Sequence, residues 1–368
     1  MERYIPLSLN AQTAYAETFD MVLARTTARS VADLNGSFAK KQVKGATYWY
    51  FQFRDIDGRV RQIYIGPDNE RVQKLITDGR AAPVAAADRL ARSALALGCA
   101  GILPKHFAII RRLAEYGFFK AGGVLIGTHA FISMGNMLGM SWRDGARTQD
   151  VDFAQAGKSI SIGLPADIEV DIHAALDSLE MGFIPIQSFS GNAGATYLNP
   201  KEPELRIDFL APANRSGDGA FNFDQLNIAL QPLKFMEFSL ENTTQAALLS
   251  RDGAVLINLP SPLRYGLHKL LVYGERTVAF RTKSAKDLLQ SAALLSYSAA
   301  NQPAELKEGL KDLLGRGPGW RKRAEQGISA LLKIEPALEE FLRPAPAGRG
   351  VARKSKRPRP GCATAPRR

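Results

Sequence analysis

The sequence predicts an α+β fold: a mixed sheet flanked by helices, with an N-terminal helix plus a small β-hairpin segment and a C-terminal helical region. Three observations carry that class. Residues 38–65 hold two β-rich runs around Asp57-Gly58, a hairpin pattern. From Gly122 onward, short apolar runs bounded by turn residues alternate with helix-compatible stretches. Residues 262–342 read as mostly helical, with a Gly/Pro break at Gly315–Gly319. At 368 residues and 45% hydrophobic content, the chain can bury a large core and has room for two or three domains. The expected division is 1–100 for the N-terminal helical and hairpin segment, 101–260 for the core, 261–342 for the C-terminal helical region and 343–368 for a disordered basic tail.

Taken in order, residues 10–34 have helical apolar spacing through Phe19, Val22 and Leu23. Tyr48, Trp49, Tyr50, Phe51 and Phe53 form the first β-rich run, and Val60, Ile63 and Ile65 the second. Gly66-Pro67-Asp68 ends it, with Asp68 placed to cap a helix over 69–98 that breaks near Pro83. Pro104 opens the next helix, Gly122–Gly127 is a short strand, Ala130–Met140 a helix and Asp150–Phe153 a strand. A helix over 173–182 precedes strands at 183–189, 195–199 and 205–210, then β-like runs at 235–240, 244–249 and 254–259. Pro260-Ser261-Pro262 starts the C-terminal helices.

Charge and cysteine usage narrow the function classes. The formal net charge is +12, which points to a polyanionic partner. Nine of the 48 basic residues lie in 343–368, which has no acidic residue; the rest of the chain carries 39 basic against 36 acidic residues. The excess is therefore mostly in the tail. Two distant cysteines, Cys99 and Cys362, exclude a disulfide framework and a four-thiolate zinc site. Met1–Asp20 lacks the apolar run of a secretory signal, and no window reaches the ~18 apolar residues of a membrane span. The expectation is a cytoplasmic protein.

The chemistry-bearing residues are Gly127-Thr128, then Arg147-Thr148-Gln149-Asp150-Val151-Asp152-Phe153, then Arg206-Ile207-Asp208-Phe209. Asp150 and Asp152 are two apart on a predicted strand and so share a face, with Val151 and Phe153 on the other. Asp208 has similar flanks on a later strand. If the strands are neighbours, three carboxylates converge and need cations to stay ionised. Magnesium is the oxygen-seeking ion that fits, and two ions about 3.5–4 Å apart would serve an attacking oxygen and a leaving pyrophosphate. Asp171, in the alternating run Ile168-Glu169-Val170-Asp171, competes with Asp208 as third carboxylate. A strand ending in glycine, then a hydroxyl residue and a helix, offers N–H groups and the Thr128 hydroxyl to a phosphate. Lys269 and Arg276 are seven apart, nearly two helical turns, and share a face suited to a triphosphate.

These residues resemble the nucleotidyltransferase superfamily, whose fold is shared with the palm of DNA polymerase β. The family's glycine turn, Asp-x-Asp strand and third carboxylate correspond to Gly127-Thr128, Asp150-Val151-Asp152 and Asp208. The sequence looks most like bacterial uncharacterised nucleotidyltransferase-fold proteins, and next like abortive-infection type nucleotidyltransferase toxins. It shares Arg147-Thr148-x-Asp150-x-Asp152 and the later Lys269, Arg276 and Lys286-Asp287. The similarity spans about 101–300. Thr128 stands where serine is usual, and 21 residues separate it from Asp150, room for a longer helix. The resemblance implies a magnesium-dependent enzyme that uses a nucleoside triphosphate, with Asp150, Asp152 and Asp208 catalytic and metal-binding. Gly127, Thr128, Lys269 and Arg276 would bind the nucleotide.

Two further segments bear on partners. Lys40, Lys41, Trp49 and Arg54 mix cations with aromatics in the hairpin, which reads either as an RNA or DNA platform or as a meander whose aromatics pack inward. The tail, with Lys354-Ser355-Lys356-Arg357-Pro358-Arg359, reads either as a nonspecific nucleic-acid contact or as a solvated extension. His106, His129, His173 and His268 lack metal-ligand spacing and read first as packed or surface residues.

Overall fold

The structure, a computed structural model, describes residues 3–32, 36–43, 45–54, 60–143, 151–155, 170–186, 195–213, 219–276 and 281–343. The fold is α+β, as the sequence predicts. It begins with β1 (Tyr4–Pro6) and α1 (Leu9–Ala32), followed by β2 (Gly36–Val43), β3 (Ala46–Arg54), β4 (Val60–Pro67) and α2 (Glu70–Ala96). The expected hairpin is β3–β4, and β2 completes a three-stranded antiparallel sheet in the order β2-β3-β4. Asp57-Gly58 lies outside the described residues. Two expectations are corrected here. The helix cap is Asn69, which accepts from the Val72 amide at 2.9 Å; Asp68 instead binds Trp49, Lys40 and Gln73. The helix also runs unbroken through Pro83. Its C-terminal turns bury Ala87, Ala91 and Ala94 completely, and that packing outweighs the amide bond that proline forfeits.

The core follows as α3 (Pro104–Glu115), β5 (Gly123–Leu125), α4 (Gly127–Met137), β6 (Met140–Trp142), β7 (Val151–Gln155) and α5 (Ile172–Asp177). Then come β8 (Ile184–Pro185), β9 (Thr196–Asn199), β10 (Glu202–Pro212), β11 (Phe221–Phe223), β12 (Ile228–Leu233), α6 (Met236–Leu240), β13 (Thr243–Ser250) and β14 (Gly253–Pro260). Seven strands make a mixed sheet along the path β11-β12-β10-β7-β5, with β9 on β10 and β8 on β9. Strand β10 is its axis. One edge pairs parallel with β7; the other meets β9 antiparallel first and β12 parallel further on. The run 235–240 is a correction: it forms α6, entered through Phe235 at φ +67°. Met236, Phe238, Ser239 and Leu240 are all buried, so one short turn shows no helical period to betray it. Strands β6, β11 and β12 add to the expected set, α4 ends at Met137 rather than Met140, and α5 is shorter than the expected 173–182.

The β13–β14 hairpin is buried on both faces. Ala246, Leu248, Val255 and Ile257 join the core of the main sheet. Ala247, Leu249, Ala254 and Leu256 meet Leu7 and, from the N-terminal helices, Ala11, Tyr15, Ala87 and Ala91. Strands buried on both faces read as continuous apolar runs, as these do. The Tyr15 hydroxyl closes this layer, accepting from the Ala247 amide at 3.1 Å and donating to its carbonyl at 3.3 Å.

Helices α7 (Pro262–Glu275), α8 (Arg281–Asn301), α9 (Pro303–Gly315), α10 (Pro318–Ile334) and α11 (Glu339–Leu342) complete the described chain. They share a core of Leu267, Leu270, Leu295, Leu310 and Leu331. Helices α7 and α10 approach through glycine: a Cβ on Gly327 would stand 2.3 Å from the Leu270 carbonyl, which no side chain permits. That contact fixes the helix carrying Lys269. Among the described residues no helix is long and apolar enough to cross a membrane.

Candidate active site

The site starts where β5 ends. Val124 and Leu125 are fully buried and anchor the strand. Gly127 then turns the chain at φ +70°, a conformation that favours glycine, and α4 begins there rather than at Ala130. No side chain caps α4, so its first amides have no partner from that source. Two later helices cover the turn. From α7, the Tyr265 hydroxyl donates to the Gly127 carbonyl at 3.1 Å. From α8, the Gln290 amide reaches the Thr128 hydroxyl at 3.5 Å. Thr128 is 3% exposed, so it meets protein rather than solvent.

The acidic strands lie beside this turn. Strand β5 is antiparallel to β7, with Leu125 opposite Phe153, so the end of β5 that leads to Gly127 is the end at which β7 begins. Strands β7 and β10 are parallel, and their register sets Asp152 directly beside Asp208. Asp150 and the side chain of Asp152 lie outside the described residues. On β10, Ile207 and Phe209 are buried at 0% and 1%, and Asp208 falls on the opposite, partly open face. The Thr196 hydroxyl donates to Asp208 Oδ1 at 2.6 Å from the neighbouring β9. Asp171 has a different role. It caps α5, accepting from the Ala174 amide at 2.8 Å and from Asn227 at 3.1 Å. Among the described residues no three His, Cys, Asp or Glu side chains gather in a metal-binding cluster.

Lys269 and Arg276 meet at one carboxylate. Lys269 Nζ donates to Asp287 Oδ1 at 2.8 Å, and Arg276 makes an ion pair with Oδ2 at 3.0 Å. Lys269 also lies over the Tyr265 ring, 4.8 Å from its centroid. Burial alone lowers the lysine pKa; Asp287 and Tyr265 outweigh it, and the net shift is upward. Lys269 therefore stays charged, and the trio keeps one surplus positive charge. Tyr265 and Gln290 tie the trio to the Gly127-Thr128 turn. Neither was a candidate from sequence, yet helical spacing marks both: Tyr265 is four residues before Lys269, and Gln290 three after Asp287. Thr196 carries no such signal, because only strand pairing brings it to Asp208.

The histidines are packed. His106 Nδ1 and His129 Nε2 are 2.9 Å apart in a buried pair. His268 Nδ1 donates to the Phe235 carbonyl at 3.1 Å. Burial first, then neighbouring His106 and Lys286, drives His129 down to about 3. Burial, then Lys269, drives His268 down to about 4. Both folded values lie below that of an unfolded histidine, about 6.5. Stability linked to them is complete above about pH 6.5 and is lost as pH falls through 6.5 toward 4, where only the unfolded chain takes the protons. The expected slope is ~1.4 kcal/mol per pH unit for each histidine. Urea midpoints measured across that interval check it, and His268→Gln removes one share of the slope.

Of the hairpin residues, Lys40 and Trp49 are engaged internally by Asp68. The Arg54 side chain and the basic tail from residue 344 onward lie outside the described residues.

Residues 105–315, more than half of the chain, match the model of a family described as nucleotidyltransferase. Among solved structures the chain is similar to an antigenic nucleotidyltransferase-like protein from Paracoccidioides brasiliensis. That match has 14% identity and a TM-score of 0.36, and covers 66% of this chain and 94% of the other. No curated protein matches the chain.

Proposed function

The chain belongs to the nucleotidyltransferase family, and from that premise we propose that it moves a nucleoside monophosphate from a nucleoside triphosphate to an acceptor hydroxyl. The acceptor oxygen bonds to the α-phosphorus, the bond from that phosphorus to the bridging oxygen breaks, and pyrophosphate leaves. The observation that carries the reading is the register of β7 and β10, which puts Asp152 beside Asp208 at the sheet end where Gly127 turns into α4.

In this reading Asp150, Asp152 and Asp208 hold two magnesium ions; an all-oxygen donor set suits that ion. Magnesium supplies charge neutralisation at the pyrophosphate and a more acidic acceptor hydroxyl. Asp208 takes the acceptor proton, with one oxygen fixed by Thr196 so that the other is aimed. Gly127 and Thr128 receive the triphosphate at the start of α4 once Gln290 yields the hydroxyl. Lys269 and Arg276 meet the β- and γ-phosphates with the surplus charge that Asp287 leaves them. Catalysis is then positioning and charge neutralisation. RNA, such as a tRNA end, is the first acceptor and a protein hydroxyl the second.

The test is incubation of the full chain with labelled nucleotides, magnesium and bulk RNA or lysate. Label is expected in a macromolecular fraction, and Asp150→Ala or Asp152→Ala abolishes it. Absence of any incorporation that depends on those two residues overturns the reading. Two observations favour a rival, noncatalytic nucleic-acid-binding or regulatory role: Thr128 is buried, and Lys269 is already paired. That rival expects nucleic-acid binding to survive both substitutions. A toxin role expects growth arrest on expression, relieved by Asp152→Ala.

A further inference from the structure

The two faces of the β2-β3-β4 sheet differ in the aromatic groups they present. On one face Asp68 collects Lys40 Nζ and Trp49 Nε1, each at 2.8 Å, and Gln73 at 2.6 Å. These hydrogen bonds, Lys40 first, hold its carboxyl down at about 2. They tie the sheet to the first turns of α2, so the cation and the indole N–H on that face are spent internally.

On the opposite face Lys41 Nζ donates to the Gln62 side-chain oxygen at 2.5 Å, and tyrosines take the place of the indole. Pairing sets Lys41 opposite Tyr48, Tyr50 opposite Tyr64 and Gln52 opposite Gln62. The Tyr64 ring lies 6.0 Å from Tyr48 and 5.6 Å from Tyr50, and Lys41 Nζ stands 5.5 Å from the Tyr50 centroid. Tyr64 is 54% exposed. Three adjoining phenol rings beside a lysine, Tyr48 and Tyr50 of them half-buried, belong to none of the hydrophobic cores formed among the described residues. The sheet segment 36–67 also carries six basic and two acidic residues, a net of +4 that attracts a polyanion.

We propose that this tyrosine face binds single-stranded RNA. Every base has a π-face, so stacking on Tyr50 and Tyr64 tolerates any sequence, and Lys41 keeps its charge on Gln62, a neutral partner, and exchanges that contact for the adjoining phosphate. Unpaired bases are required, because a duplex hides its ring faces. Gln52 and the Gln62 amide, whose oxygen Lys41 gives up on meeting the phosphate, stand beside the rings, the kind of partner that distinguishes a ribose 2′-hydroxyl from deoxyribose. The proposal rests on the transfer reading only for RNA being the acceptor. Binding needs neither nucleotide nor magnesium, so the two readings fail separately.

The experiment titrates the full chain, without nucleotide or magnesium, into a labelled single-stranded RNA of about 12 nucleotides and follows anisotropy. Tyr50→Ala and Tyr64→Ala are each expected to weaken binding about tenfold. Tyr64→Phe keeps the ring and stays within about twofold, which separates stacking from loss of fold. Lys41→Gln lowers the salt slope by about one, and Gln42→Ala on the opposite face changes nothing. Four outcomes overturn the proposal: unchanged affinity in both alanine variants, equal affinity for duplex RNA, equal affinity for single-stranded DNA, or a dimer by ultracentrifugation that Tyr64→Ala dissolves. The last would make a second copy of the chain the occupant.

Discussion

Asp208→Asn is expected to lower the rate of nucleotidyl transfer about 10²- to 10³-fold, with little change in thermal midpoint. The fold tolerates it because the amide oxygen still accepts the Thr196 hydroxyl that now binds Oδ1 at 2.6 Å. Ile207 and Phe209, buried at 0% and 1%, keep the strand in place. What disappears is one negative charge on the open face, beside Asp152 in the β7–β10 register. Single-turnover rates at saturating nucleotide isolate that loss from binding. Thr196→Val is the companion variant. It frees the carboxylate without removing it, so the rate falls about tenfold. Asp171→Asn is the control. Asp171 serves as an N-cap bonded to Ala174 and Asn227, so its loss costs at most ~1 kcal/mol of stability and leaves turnover unchanged. The reverse pattern, with Asp171→Asn inactive and Asp208→Asn active, would transfer the third-carboxylate role to Asp171.

Much of the fold is legible in the sequence wherever local chemistry and tertiary packing agree. Pro104 and Pro262 each stand at the first turn of a helix, where a missing amide costs nothing. The alternation through Arg206-Ile207-Asp208-Phe209 survives as β10, with the apolar members buried. The sequence misleads where packing overrides local preference. Pro83 argues for a break, yet α2 continues because its alanine face fits against the β13–β14 hairpin. Residues 235–240 are apolar enough for a strand, but they form a buried turn of helix. Pairwise geometry is the least legible part. Spacing puts Lys269 and Arg276 on one helical face, yet α7 ends at Glu275 and Arg276 follows in extended backbone; the carboxylate of Asp287, readable in sequence as a partner of either, joins the two through the packing of α7 on α8. Likewise composition singled out Lys40 and Trp49 in the small sheet, whereas strand register assigns them to the face that Asp68 occupies.

The largest loss of stability is expected at Asp287. Its side chain is 8% exposed, and that of its partner Lys269 is 9% exposed. Asp287→Ala leaves a buried ammonium without its counter-charge and with Arg276 still nearby, a defect that costs about 3–5 kcal/mol. Arg276 is 27% exposed and reaches water, so Arg276→Ala costs about 1 kcal/mol or less. The pH dependence has a definite sign. Lys269 has a folded pKa raised above its unfolded value, so the pairing contributes fully below the ordinary lysine range, about 10.4. That contribution fades only as pH climbs past that range toward the folded value, so the pair stabilises at full strength throughout neutral conditions. A second variant separates structure from function. Lys269→Met combined with Asp287→Leu replaces both charges with apolar groups of similar size, and stability is expected to return to within about 1 kcal/mol of the parent or above it. If Lys269 also serves the triphosphate, this refolded double variant binds nucleotide at least about tenfold more weakly, since a charge-assisted contact is gone. Denaturant titration gives the first quantity and equilibrium nucleotide binding the second. A double variant that is stable and binds nucleotide like the parent would leave Lys269 as a structural cation alone, and Arg276, just past the end of α7, as the phosphate partner.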